Sequence, residues 1–170
     1  TNYKAIAKKL KFEGRAFING KYVNAIDGKK FETINPATGE KLCSVAKCNH
    51  KDVNLAVKVS RKAFNSGVWS KSSPEYRKEV LLKFAELLRK AGDENSVLEC
   101  VDTGKLIADC INEVANDAPM HFQWYGELID KVFGKVGPTE PSITSLIVKE
   151  PIGVVAGIVP WNFPLMMAVW

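Results

Sequence analysis

Val154-Val155-Ala156-Gly157-Ile158-Val159 runs without a break into Pro160-Trp161-Asn162-Phe163-Pro164. A continuous apolar, largely β-branched run with no polar residue alternating through it reads as a strand covered on both faces, the pattern of a parallel sheet. Prolines end strands, so Pro160 opens a loop at the strand's carboxyl end, where ligands collect in open α/β sheets. An asparagine amide held between two stiff prolines is a preorganised hydrogen-bond donor, which is what a developing oxyanion needs. The plainer account of the same junction is a strand end with an aromatic lidding the core.

Working outward, the rest of the chain reads as the approach to that strand. Gly134 to Pro141 is a loop rich in Gly and Pro, and Ser145 to Lys149 alternates like a half-buried strand. The segment before it is helical. Val53, Ala56, Val57, Ser60, Ala63 and Phe64 keep helical spacing between an Asn49 cap and a Gly67 stop. Ser73-Pro74-Glu75 opens a second helix with a serine cap, a proline in the first turn and an early acid. Asp93 starts a third, ending near Gly104, and the longest spans about Ile107 to Val132. Pro119 sits inside that one and predicts a bend near Ala115, whose carbonyl loses its partner. Earlier still, Ala16-Phe17-Ile18 and Lys21-Tyr22-Val23 flank Asn19-Gly20, a hairpin signal. Phe31 to Ile34 and Lys41 to Ala46 offer two more strands around the turn Asn35-Pro36-Ala37-Thr38-Gly39.

The composition restricts what such a chain does. Its net charge of +5 is concentrated at one end: Lys4, Lys8, Lys9, Lys11 and Arg15 against Glu13 leave little excess elsewhere. That is a solvated, lysine-rich tail over residues 1–15 rather than a basic face, so no nucleic acid is expected as partner. No apolar stretch reaches membrane-spanning length, no membrane partner is expected, and the start lacks the apolar core of a secretory signal, so the expected location is cytoplasmic. Cys43, Cys48, Cys100 and Cys110 form no CxxC pair, and His50 and His121 stand apart, which argues against zinc. Cys100 and Cys110 fall on apolar helical faces, where a buried, inert thiol is expected.

Glu150 to Pro164 resembles the first nucleotide-binding strand and loop of the NAD(P)-dependent aldehyde dehydrogenase superfamily. Phe17-Ile18-Asn19-Gly20, Ile34-Asn35-Pro36-Ala37-Thr38-Gly39-Glu40 and Asp102-Thr103-Gly104-Lys105 agree with it in order and spacing. Trp69-Ser70 through Arg77-Lys78, and Trp124-Tyr125 through Val132, resemble the branch acting on γ-glutamylaminobutyraldehyde and related aminoaldehydes. The resemblance implies an α/β fold: the amino-terminal hairpins and helices of the cofactor domain (16–141), a strand of the bridging, oligomerising region (142–150), and the opening strand of a Rossmann-like parallel sheet (151–170), broken off where the next helix should begin.

It also implies roles. Asn162 matches the catalytic asparagine that donates to the thiohemiacetal oxyanion. Ile158, Val159, Pro160 and Trp161 match the strand end and loop that lie against NAD or NADP. Phe163, Met166 and Trp170 match walls of the aldehyde tunnel, and Asp117 falls about where the family has a tunnel-mouth residue, where a carboxylate suits an amino group on the substrate. Asp102, with main-chain oxygens of Thr33 and Ile34, matches a monovalent-cation site in some relatives; oxygen donors suit a hard cation. The family's nucleophilic cysteine and glutamate base lie downstream of these motifs, and none of the four cysteines here has a matching context. The expectation is therefore an amino-terminal fragment, inactive alone, of a homo-oligomeric enzyme that oxidises an aldehyde. The alternatives are a non-catalytic binding or assembly module, and nucleic-acid binding through the basic tail.

Overall fold

The structure, a computed structural model, describes residues 1–170. The lysine-rich start is not simply a solvated tail. Tyr3–Ala7 forms a short helix, α1, whose Asn2 Oδ1 accepts from Ala5 N at 3.0 Å. Thr1 Oγ1 donates to Asp93 Oδ2 at 3.0 Å, so the segment lies against a later helix while its lysines stay in water.

Two antiparallel ribbons follow. β1 (Ala16–Ile18) pairs with β2 (Lys21–Val23) across Asn19-Gly20, both in the left-handed region (φ 56° and 73°), which is what a two-residue hairpin with the strands' natural twist requires. β3 (Lys30–Ile34) pairs with β4 (Lys41–Ala46), and the register shifts between Thr33 and Ile34.

α2 (His50–Ser66) begins on a capping box in which Asn49 Oδ1 accepts from Lys51 N and Asp52 Oδ2 accepts from Asn49 N, each at 2.8 Å. Asp52 is 2% exposed because its other oxygen accepts from Ile26 N at 2.8 Å, tying the helix start to the strand region. α3 (Pro74–Lys90) is capped by Ser73, and α4 (Gly92–Thr103) stops at Gly104, φ 78°.

The long helix is continuous but not all α. α5 (Ile107–Cys110) passes into a π segment, Ile111–Asp117, then α6 (Ala118–Leu128) and a 3₁₀ turn, Ile129–Lys131. Pro119 is the cause. It has no N–H to give Ala115, and its ring crowds that carbonyl; the chain widens by one residue, Ala118 N donating to Glu113 O.

α3 packs on α6 through Phe84 and Phe122, edge to face with centroids 4.6 Å apart, and through Ala85 and Gly126. α4 lies so close to the π segment that a Cβ on Gly92 would sit 2.8 Å from Ala115 Cβ. Val97, Cys110, Val114 and Ala118 fill this core.

Three expectations change here. Lys135–Gly137 is not loop but a strand, β5, paired antiparallel with β6 (Ser145–Ile147). The parallel strand expected over Val154–Val159 has no ladder: residues 151–160 pair with nothing, and all three sheets are two-stranded and antiparallel. A strand is defined by its neighbours' hydrogen bonds, and β-branched composition cannot supply them. The next helix is present, however: α7, Pro164–Val169. With those faces uncovered the chain exposes 12,369 Å², against roughly 8,300 Å² for a self-contained globule of this mass. Much of it is apolar, Ile152 and Ile158 being 91% and 99% exposed.

Candidate active site

The Pro160–Pro164 loop is held mainly from its carboxyl end. Pro164 starts α7, where its missing N–H costs nothing. Phe163 O accepts from Met167 N at 3.0 Å, and Val169, buried, fastens α7 to the π segment and α6. No side chain caps α7, and the half-buried Asn162 amide makes no hydrogen bond within the chain through either its oxygen or its nitrogen. Its N–H donors remain for something outside the chain. Ile158, Val159 and Trp161 (99%, 43% and 80% exposed) and Pro160 form an apolar ledge leading to it.

Beneath Phe163 lies a charged cluster that sequence reasoning missed. The Lys105 ammonium stands 4.5 Å from the Phe163 ring centroid. It contacts Glu99 Oε1 at 2.7 Å, off the hydrogen-bond direction, and donates to Glu113 Oε2. The three side chains are only 16%, 6% and 18% exposed. Burial works against the ammonium, but the two carboxylates outweigh it and raise its pKa above the ordinary lysine range. Nothing in the spacing announces this, since Glu99, Lys105, Glu113 and Phe163 come from α4, a loop, the π segment and the loop before α7.

The other expected site residues fall into two groups. Trp170 joins Met120, His121, Trp124 and Tyr125 around a shallow pocket of about 270 Å³. Asp117 ends the π segment, half-buried, and its carbonyl accepts from His121 Nδ1 at 2.9 Å; His121 lines the Trp170 pocket and Asp117 does not. Met166 is half-buried on α7. Thr33 and Asp102 meet: Thr33 Oγ1 donates to Asp102 Oδ1 at 3.1 Å, at the register break in β3 next to Ile34. They line a groove of about 860 Å³ shared with Pro164 and Leu165. One carboxylate with hydroxyl and carbonyl oxygens fits a hard monovalent cation; no cluster of three His, Cys, Asp or Glu side chains exists to hold a transition metal.

The ledge likewise suits the flat face of a dinucleotide. It is apolar and accessible, and a Cβ on Gly157 would meet nothing within 4 Å, so the backbone can be approached closely. Three of the thiols sit in surroundings that do not suit nucleophilic attack. All four are free. Burial, with Cys100 alongside, pushes Cys110 up to about 12. Burial raises Cys100 as well, and burial with the nearby Asp52 and Asp27 carboxylates raises Cys48. Attack needs a thiolate, which each of these surroundings disfavours.

Comparison with known proteins places this geometry in context. Residues 22–170 match the aldehyde dehydrogenase family model. The chain is 42% identical over 164 residues to the NADP/NAD-dependent aldehyde dehydrogenase PuuC of Escherichia coli, covering 96% of the chain and 33% of that protein. The solved structure of γ-glutamyl-γ-aminobutyraldehyde dehydrogenase from Burkholderia cenocepacia superposes with a TM-score of 0.96 at 44% identity, over 99% of the chain and 34% of that one. A mutant indole-3-acetaldehyde dehydrogenase from P. syringae, in complex with NAD+ and IAA, gives 0.96 at 43%, with the same two coverages of 99% and 34%. The chain thus spans about a third of the length of the relatives it matches.

Proposed function

Because the chain belongs to the aldehyde dehydrogenase family, we propose that it is the amino-terminal third of an enzyme that oxidises an aldehyde to its carboxylic acid with NAD or NADP, and that Asn162 is the side chain in this third that acts on the reacting atoms. NAD(P) would supply the hydride acceptor. Ile158, Val159, Pro160 and Trp161 would form the wall it rests on and keep water from that face. In this reading a cysteine elsewhere in the enzyme adds to the carbonyl carbon, and the carbonyl oxygen becomes the anion of a thiohemiacetal. Asn162 donates a hydrogen bond to that oxygen. The donor is oriented before charge develops, so the charge is stabilised without reorganising the site.

The observation that carries this is the presentation of Asn162: half-buried, its amide uncommitted, on a loop stiffened by Pro160 and Pro164 and anchored by α7. In the full-length enzyme, Asn162→Ala should lower kcat on the order of a hundredfold or more. An unchanged kcat removes the assignment.

Residues 1–170 alone should give no NADH absorbance with NAD and an aldehyde, since in this reading the nucleophilic cysteine and the glutamate base lie elsewhere in the enzyme, and the surroundings of Cys48, Cys100 and Cys110 disfavour their thiolates. Sustained turnover would overturn that. Phe163, Met166 and Trp170 would wall the aldehyde's path. The likeness to a γ-glutamyl-γ-aminobutyraldehyde dehydrogenase supports an amino-bearing substrate, which Asp117, bonded through its carbonyl to the pocket residue His121, would meet at the mouth of that path. Thr33, Ile34 and Asp102 would hold a monovalent cation. In this reading the enzyme is a cytoplasmic homo-oligomer divided at 16–141, 142–150 and 151–170, its uncovered faces closed by the rest of the enzyme and by its copies, with neither nucleic acid nor membrane as partner.

A further inference from the structure

We infer that Lys105 is a positioning residue for the oxyanion loop, clamping the Phe163 ring from below and so setting where the neighbouring Asn162 amide points. This rests on the oxyanion reading of Asn162.

Four observations support it. The Lys105 ammonium faces the ring at 4.5 Å from its centroid, within the range where a cation is attracted by the ring's quadrupole. The ammonium is itself fixed, because Glu99 and Glu113 hold it from two helical elements. The cation's side of the contact is largely dry, Lys105 and Glu99 being 16% and 6% exposed while Phe163 is 38% exposed, and a cation–π contact strengthens as the cation is desolvated. Phe163 is adjacent to Asn162 and caps α7, so a ring held in one place fixes the backbone on which the amide is mounted. Pro160 and Pro164 restrict the loop's torsions, but neither determines its height above the helices.

A lysine paired with two carboxylates is sufficiently explained by charge balance alone, so the test must separate positioning from stability. The full-length enzyme is measured with Lys105→Met, a neutral side chain of similar length, with and without Asn162→Ala. If Lys105 acts through the loop, Lys105→Met lowers kcat about tenfold in the wild-type background and by less than twofold once Asn162 is already alanine. An equal loss in both backgrounds, or no loss in the wild type, overturns the proposal. If Lys105→Met does not fold, Glu99→Gln and Glu113→Gln are added to it, so that no buried carboxylate is left unpaired. This triple variant should show the same fall in kcat and the same dependence on Asn162, and an unchanged kcat overturns the proposal. Should Asn162→Ala alone leave kcat unchanged, the oxyanion reading has failed and this proposal fails with it. A normal Asn162 effect without coupling removes only the role of Lys105.

Discussion

Cys110 offers a direct measurement of how this helical core treats charge. It is wholly buried between α4 and the π segment, among Val97, Val114 and Ala118, and its thiol is pushed up to about 12, first by burial and then by the neighbouring Cys100. An unfolded thiol, with a pKa near 8.5, is about one-quarter thiolate at pH 8; at a pKa of 12 the fraction falls to about one in ten thousand. Thiolate chemistry alone therefore predicts that a disulfide reagent at pH 8 modifies native Cys110 at least about two-thousandfold more slowly than the same residue in urea. Peptide mapping by mass spectrometry after timed quenching reads this rate separately from Cys43 and Cys48. The same shift predicts a stability effect of definite sign. Between about pH 9 and pH 12 the unfolded chain has released this proton and the folded chain still holds it, so stability is lost as pH rises. The slope is about 1.4 kcal/mol per pH unit, and it should be missing from Cys110→Ala measured alongside. If native Cys110 reacts within tenfold of its unfolded rate, or if the two alkaline stability curves run parallel, the account of this core is wrong.

The remaining predictions concern joints of the fold. Asp52→Asn turns one of its two accepting oxygens into a donor that faces either Ile26 N or Asn49 N, leaving a backbone N–H unpaired; urea unfolding should show a loss of about 2–4 kcal/mol, and a loss under 0.5 would refute the role of the capping box. Gly104→Ala places a Cβ at φ 78° and 2.8 Å from Pro36 Cγ, so stability should drop by about 1–2 kcal/mol from the backbone alone. In the full-length enzyme, Asp102→Asn should reduce whatever activation or thermal stabilisation potassium or sodium provides; an unaltered salt response argues against a cation there.

The elements that local chemistry dictates were legible in the residues. Asn19-Gly20 marks the β1–β2 hairpin because only such residues enter the left-handed region at low cost. Asn49, Ser73, Gly67 and Gly104 mark helix ends because each satisfies backbone groups or takes a conformation that its neighbours cannot. Pro119 announced a disturbance near Ala115 but not its local form, a π segment over Ile111–Asp117. β5 was missed because Lys135-Val136-Gly137 carries no strand signal of its own and is recruited by Ser145–Ile147. The helix at Tyr3–Ala7 was missed because it is too short to show a period and is supported by contact with α4.

For the site, the sequence alone was enough to single out the Pro160–Pro164 loop and its asparagine as the candidate, since a β-branched run, two prolines and an amide are covalent facts whose consequences are local. It was enough, too, to identify the family, because four motifs stand in order along one chain. Only the tertiary structure decided what lies beneath the loop. Lys105 meets Phe163 through the packing of α4, the π segment and α7. It also decided that Val154–Val159 stays unpaired here despite its composition. Side-chain patterns state which faces need covering; hydrogen-bonded neighbours and buried ion pairs exist only when distant segments meet.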